Sequence, residues 1–353
     1  MKFIFLTTQY NNATGGTKYD KMFIDRLREC GEDVKIIADR DFPEASNRHQ
    51  YNKLYKSCIN EFTDADFFVT NSRLYTRFKG IIKLIRKQNP KIRIVAFHHH
   101  FNFMTQKGLL YFVHKKLELS FLNCLDYVIY ASGYIYELSR KYVHVPGFLV
   151  ETITPRANLH AVEKNGNRLL FIGNLEARKG IDYLLKSFAR ICSVKNDVYL
   201  TLAGGGSEEY KTKLLQETEK YGISNNVSFE GRISEERKIE LCNNSDIFVF
   251  PSLLEGLGLA IREAMSYGLP VVAFDNSAMG YTIKTGINGV LVKNKNTDEL
   301  FKAILFLLND EHYRKKLSSG ALKSAEEFGT IESFYINIEK VLNFFRGKIN
   351  GYH

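Results

Sequence analysis

The 353-residue chain predicts an α/β protein: two Rossmann-like domains whose parallel sheets face each other across a cleft. Three observations lead there. Short apolar runs alternate with longer stretches of helical period, the pattern of βαβ units. The alternation breaks in a loop-like stretch from Pro146-Gly147 through Pro155 to Gly166-Asn167, then restarts. The length exceeds one ordinary core and suits two domains, each burying its own interior.

In order, strands are expected near 2–7, 33–38, 65–70, 92–97 and 125–130, and after the break near 168–173, 197–203, 246–250, 270–274 and 289–292. Residues 1–160 form the first domain and 161–330 the second. The last segment, 331–350, has apolar residues at helical spacing and can close either domain, by packing back on the first for example. Open parallel sheets bind ligands beyond the carboxyl ends of their strands, so chemistry is expected just after strands.

Hydrophobic residues make up 44% and charged residues 25%, which excludes a disordered or fibrous chain. No apolar run reaches the roughly 18 residues of a membrane span. Met1 to Leu6 is too short for a signal-peptide core and reads as a first strand. The five cysteines, Cys30, Cys58, Cys124, Cys192 and Cys242, are scattered without a C-x-x-C pair, so neither a disulfide framework nor a zinc site is expected, and a reducing cytoplasm fits. A net charge of +10 implies an anionic partner: nucleic acid, an acidic membrane face or a phosphorylated small molecule.

The most informative segment is Phe250-Pro251-Ser252-Leu253-Leu254-Glu255-Gly256-Leu257-Gly258-Leu259-Ala260-Ile261-Arg262-Glu263-Ala264-Met265. It joins a strand end, a glycine-bearing turn and a helix start. Backbone amides and the positive helix end suit the cradle Gly256, Leu257, Gly258, Leu259 to a diphosphate. Glu255 in the turn and Glu263 in the helix are acceptors for the hydroxyls of a sugar and a ribose; a solvated pair of glutamates is the plainer reading of that spacing alone.

This segment resembles the Glu-x7-Glu signature of the family 4 glycosyltransferases. So do Gly268-Leu269-Pro270-Val271-Val272-Ala273, Phe171 to Gly180, Leu202-Ala203-Gly204-Gly205-Gly206, Val227 to Arg232, and Gly286 to Val292. The resemblance implies a GT-B fold and a retaining, metal-independent transferase moving a sugar from a UDP-, GDP- or ADP-sugar, without a further cofactor. It implies Lys179 on the donor diphosphate, Glu255 on the transferred sugar and Glu263 on the ribose, with Gly173, Asn174, Arg178 and Arg232 around the donor. The family commonly has arginine where this chain has Asn174, so Arg178 is the candidate for a second phosphate-binding cation. Met279-Gly280-Tyr281 also departs from the acidic pair the family often carries.

In the first half, Thr14-Gly15-Gly16-Thr17 follows the first strand, and in the resembled family that loop borders the donor, which makes Gly15 and Gly16 donor-binding candidates; a bare diglycine signals only a turn. His98, His99 and His100 follow the fourth strand, and His98 is the choice for a sugar hydroxyl or the reacting region. Alternating directions along an extended chain keep the three from one metal ion, so no metal site is expected. From Arg73 to Arg93 there are eight basic residues and no acidic one. Phe78, Ile81, Ile82 and Ile85 share a helix face beside Lys79, Lys83, Arg86 and Lys87, which is either an ordinary packed helix or a peripheral contact with anionic membrane.

The expected acceptor is a carbohydrate or a lipid-linked glycan, in polysaccharide, glycolipid or other glycoconjugate synthesis. Alternatives are a nucleotide-sugar epimerase of the same fold and an inactive nucleotide-sugar-binding protein. A dehydrogenase lacks G-x-G-x-x-G after the first strand. A nucleic-acid-binding role has only charge in its favour, without a recognition motif.

Overall fold

The computed structural model describes residues 1–7, 15–38, 59–154 and 166–349. The chain divides into two compact units, Met1–Ile153 with Gly329–His353, and Thr154–Phe328. The boundary expected at 160/161 lies outside the described residues.

The first unit is built on β1 (Lys2–Thr7), β2 (Asp33–Ala38), β3 (Phe67–Asn71), β4 (Arg93–His98), β5 (Tyr127–Tyr130) and β6 (Gly147–Leu149). All pair parallel, in the order β2-β1-β3-β4-β5-β6. Its helices include α1 (Gly15–Glu29), α2 (Tyr75–Gln88), α3 (Leu109–Leu122) and α4 (Gly133–Ser139). Both sheet faces are covered, so consecutive residues such as Phe3, Ile4, Phe5 and Leu6 are all buried, as the unbroken apolar runs require. The basic helix expected between 73 and 93 is α2. Ile81, Ile82 and Ile85 turn into the core while Lys83 and Lys87 stay exposed, and the side chains of Phe78 and Lys79 lie outside those described.

The second unit is built on β7 (Arg168–Ile172), β8 (Tyr199–Ala203), β9 (Val227–Gly231), β10 (Ile247–Phe250), β11 (Val271–Asp275) and β12 (Gly289–Lys293). The order is β12-β11-β10-β7-β8-β9, again parallel. Around it run α5 (Ile181–Cys192), α6 (Glu208–Lys220), α7 (Glu235–Asn244), α8 (Leu259–Ser266), α9 (Met279–Thr282), α10 (Thr297–Asn309) and α11 (Glu311–Glu326). One continuous core joins the sheet to α5, α8, α10 and α11.

Two strands, β6 and β9, are absent from the pattern expected of the sequence. Both are edge strands without a fully buried residue, and β6 is three residues long. A half-exposed edge shows no apolar run, and its pairing is decided by the strand beside it.

Helix α12 (Ile331–Ile349) belongs to the first unit. Phe334, Ile338, Val341, Leu342 and Phe345 are buried in one core with Phe3, Phe67 and Phe97, and Phe345 stacks on Phe67 at 4.4 Å. Among the described residues no helix is long and apolar enough to cross a membrane.

Each sheet has one point where the chain reverses its direction of progress. In the second unit the strands proceed from β7 through β8 to β9, then return to β10 on the other side of β7. From β7 the chain moves on to β8 and from β10 to β11, in opposite directions across the sheet, and the strand ends at this switch point are where open α/β sheets take ligands.

Candidate functional site

The connection after β7 carries Arg178 and Lys179 in a single 3-10 turn, Ala177–Lys179, closed by Gly180 at φ 69°. A Cβ at Gly180 would lie 2.0 Å from the carbonyl oxygen of Pro251, so only glycine lets this connection touch the one leaving β10. The amide of Leu253 donates to the carbonyl of Arg178 at 2.8 Å.

This contact brings Lys179 to Glu255. The ammonium donates to Oε1 of Glu255 at 2.6 Å, with the side chains 11% and 12% exposed. The hydroxyl of the buried Ser252 donates to the same oxygen at 2.7 Å. Arg178 lies 3.4 Å from it, but its shorter bonds go to the Leu254 carbonyl and to Glu176, each at 2.6 Å. Lys179 also lies 5.0 Å from the centre of the Phe250 ring.

The turn then runs through Gly256 and Leu257 to Gly258, whose φ of 74° opens α8 at Leu259 without a side-chain cap on the helix start. Leu259 and the residues before it thus present the positive end of a helix. The turn is tied to the connection after β11, since the Glu255 amide donates to Ser277 Oγ at 2.9 Å. Glu263, within α8, has its own cation: Lys238 of α7 donates to it at 3.3 Å and pairs with Glu235 at 2.7 Å. Burial alone would lower the Lys238 ammonium, but Glu263 and Glu235 together hold it above its ordinary 10.5.

Further along the same strand ends, the Gly173 amide donates to the Ala203 carbonyl at 2.9 Å, and Asn174 beside it is exposed. Arg232, just past β9, lies over Gly205, where a Cβ would come within 2.7 Å of its Nε. Gly173, Asn174, Arg178, Lys179, Arg232, Glu255 to Leu259 and Glu263 therefore all belong to the ends of β7, β9 and β10 or to the helix that follows.

The first unit places its residues differently. Gly15 opens α1 and Gly16 lies against the His99 ring, with a would-be Cβ 3.8 Å from it; Thr14 is outside the described residues. His98 faces the core rather than solvent: it is 0% exposed, its Nδ1 is 2.7 Å from Ser72 Oγ, and its ring packs on Phe101 and Tyr130. Burial holds its imidazole well below the ordinary 6.5, with the neighbouring His100 and His99 acting in the same direction. The reason is pleat direction, since successive residues at a strand end point to opposite sides. His99 and His100 are both partly exposed; His99 Nε2 is 3.0 Å from Asp20 Oδ1, and Asn71 donates to the other Asp20 oxygen at 3.4 Å. Among the described residues no group of three or more His, Cys, Asp or Glu gathers as a metal set.

Sequence reasoning did not single out Ser252, Glu176, Ser277 or Lys238 as site residues, nor Asp20 and Asn71. Ser252 stands inside the quoted segment, three residues before the glutamate it bonds. Lys238 is one charge on a charged helix, and nothing in its spacing marks it.

Residues 156–324 match the family described as Glycosyl transferases group 1. The chain is 30% identical over 197 residues to an uncharacterized glycosyltransferase of Haemophilus influenzae, covering 56% of this chain and 52% of that one. It is 28% identical over 200 residues to D-inositol 3-phosphate glycosyltransferase of Frankia alni, covering 53% and 49%. The chain spans about half the length of the curated relatives it matches. Among solved structures, sucrose-phosphate synthase from Thermosynechococcus elongatus superposes with a TM-score of 0.82 at 17% identity, over 99% of this chain and 100% of that one. Anabaena HepE in complex with UDP-glucose gives 0.75 at 17% identity, over 97% and 99%. The chain thus has the two-domain GT-B fold, and its residues 156–324 match the glycosyl transferases group 1.

Proposed function

We propose that the protein is a retaining, metal-independent glycosyltransferase of family 4. It moves a hexosyl group from a UDP-, GDP- or ADP-sugar to a hydroxyl of a carbohydrate or lipid-linked acceptor, on the cytoplasmic side. The observation that carries this reading is the meeting of Lys179 and Glu255 at the β7/β10 crevice, beside an uncapped helix start. A cation, amides and a carboxylate at one point suit a ligand that is anionic at one end and rich in hydroxyls at the other.

In this reading Lys179 leaves Glu255 for the diphosphate, the amides of Gly256 to Leu259 take its remaining charge, and Glu255 turns to the sugar hydroxyls. Glu263 accepts from the ribose, with Lys238 beside it at 3.3 Å. Arg178, held by Glu176 and Leu254, acts by shaping the turn and by its charge. The bond from the anomeric carbon to the phosphate oxygen breaks while the acceptor oxygen bonds to that carbon on the same face. The acceptor proton passes to the departing phosphate, whose charge the lysine and amides stabilise.

The test is thermal unfolding with UDP, GDP, ADP and their sugars, since a ligand of the folded state raises its stability by mass action. One nucleotide family is expected to stabilise the wild type and to lose its effect in Lys179→Ala and Glu263→Ala. HepE of the same fold is solved with UDP-glucose, so the UDP series comes first. No stabilisation of a folded wild type by any nucleotide would overturn the proposal.

A further inference from the structure

Helix α3 buries its carboxylate and exposes its hydrocarbon. Glu118 is 0% exposed, taking the Asn102 amide at 3.0 Å and the Asn102 side chain at 2.9 Å on one oxygen and the Phe103 amide at 2.9 Å on the other. On the opposite side Leu109 is 79% exposed, Leu110 56%, Phe112 67%, Val113 43% and Leu117 44%. At roughly 100° per residue these five, with the exposed Lys116 among them, fill one continuous arc of the helix. Of the sixteen large apolar side chains exposed among the described residues, five are on this one helix. Singly exposed leucines need no explanation, but a contiguous apolar face does.

The stretch of chain that leads into that face carries charge of one sign. Between Asp66 and Glu118 the chain has eleven lysines and arginines and no aspartate or glutamate. Helix α2 packs beside α3 and adds exposed Lys83, Leu84 and Lys87, while Lys107 precedes α3. A two-fold contact with a second copy would set these lysines against their own equivalents, which disfavours self-association. A surface of phosphate headgroups over hydrocarbon complements both features: lysine stems lie along the apolar layer and their ammoniums reach the phosphates.

We propose that α3 docks the protein on an anionic lipid bilayer, lying in the headgroup plane with Leu109, Leu110, Phe112, Val113 and Leu117 in the acyl region. At 14 residues the helix is about 21 Å long, suited to lying along the interface. The apolar side of α2, the helix to which the sequence points for this role, is spent on the core; α2 contributes charge, and α3 contributes the inserting face. This surface is read independently of the donor site.

The chain contains no tryptophan, so Phe112→Trp gives a single tryptophan on the face, excited at wavelengths the tyrosines do not absorb. Its emission is expected to shift to the blue, and to be quenched by bromine on the acyl chains, with phosphatidylcholine vesicles containing about a quarter phosphatidylglycerol. Phe306→Trp, exposed on α10, is expected to show neither change. Wild-type protein should sediment with those vesicles and at least tenfold less with phosphatidylcholine alone. Leu110→Ser/Leu117→Ser should reduce sedimentation at least tenfold while its circular dichroism and its response to nucleotides remain those of the wild type. Sedimentation with neither vesicle overturns the proposal, whether or not a second copy or another protein covers the face. Equal binding to both vesicles overturns the assignment of an anionic surface, and unchanged binding by the double variant overturns the assignment to α3.

Discussion

Lys179 and Glu255, 76 residues apart in the chain, meet at 2.6 Å with little exposure of either side chain. The two residues lie on connections leaving adjacent strands, β7 and β10, and Gly180 and Pro251 hold those connections in contact. Each charge offsets the desolvation the other would face alone. In the proposed enzyme the same two groups serve opposite ends of the donor, so donor binding exchanges this internal pair for two external ones.

Glu255→Gln separates these roles. The amide keeps the size of the side chain and removes the charge that holds Lys179. Nucleoside diphosphate affinity, measured calorimetrically, is expected to stay the same or to tighten by up to about tenfold, because the lysine no longer leaves an ionic partner. Sugar transfer is expected to fall by about 100-fold or more. Loss of nucleotide binding in this variant would contradict the division of labour.

Gly180→Ala tests the crossing of the two connections. Left-handed backbone costs an ordinary residue about 1–2 kcal/mol, and the new Cβ would stand 2.0 Å from the Pro251 oxygen. The second unit is expected to lose more than about 2 kcal/mol in denaturant melts. Gly222→Ala is the control: φ is 68° there with nothing within 4 Å of the Cβ, so only the backbone cost should appear. Equal losses in the two variants would mean that the crossing is looser than it stands.

His98 is expected to make the first unit sensitive to acid. Its folded value is depressed well below the ordinary 6.5 by burial, so below pH 6.5 the unfolded chain takes a proton that the folded one refuses. Stability from this group is therefore present above pH 6.5 and declines as pH falls, by about 1.4 kcal/mol per unit until the folded ring protonates. In His98→Phe, which suits a pocket lined by Phe101 and Tyr130, urea melts at successive pH values should lack this share of the slope. An unchanged slope would show that His98 is not the group refusing the proton.

Much of the second unit was legible in the sequence because its strands are buried on both faces and read as apolar runs. Its site residues follow those runs within a few positions, in a segment whose glycines mark the turns. Edge strands β6 and β9 were not legible, since their residues are only half buried. Lys238 was not legible either, because its importance comes from Glu263 on another helix.

Two alternating α/β segments, the place of the glycine-bearing turn after β10, and the residue types gathered around it follow from the order of residues alone. Local periodicity and turn chemistry suffice for those, as each depends on neighbours within a few residues. It takes the assembled fold to pair Lys179 with Glu255 and Glu263 with Lys238, and to turn His98 inward while His99 meets Asp20. The outward side of α3 belongs to the same class. The helix has apolar residues on every side, and the hydrogen bonds from Asn102 and Phe103 to Glu118 choose which of them water sees. Such choices rest on contacts between residues 15 to 79 positions apart, beyond the reach of local periodicity, and these come into being only when the elements pack.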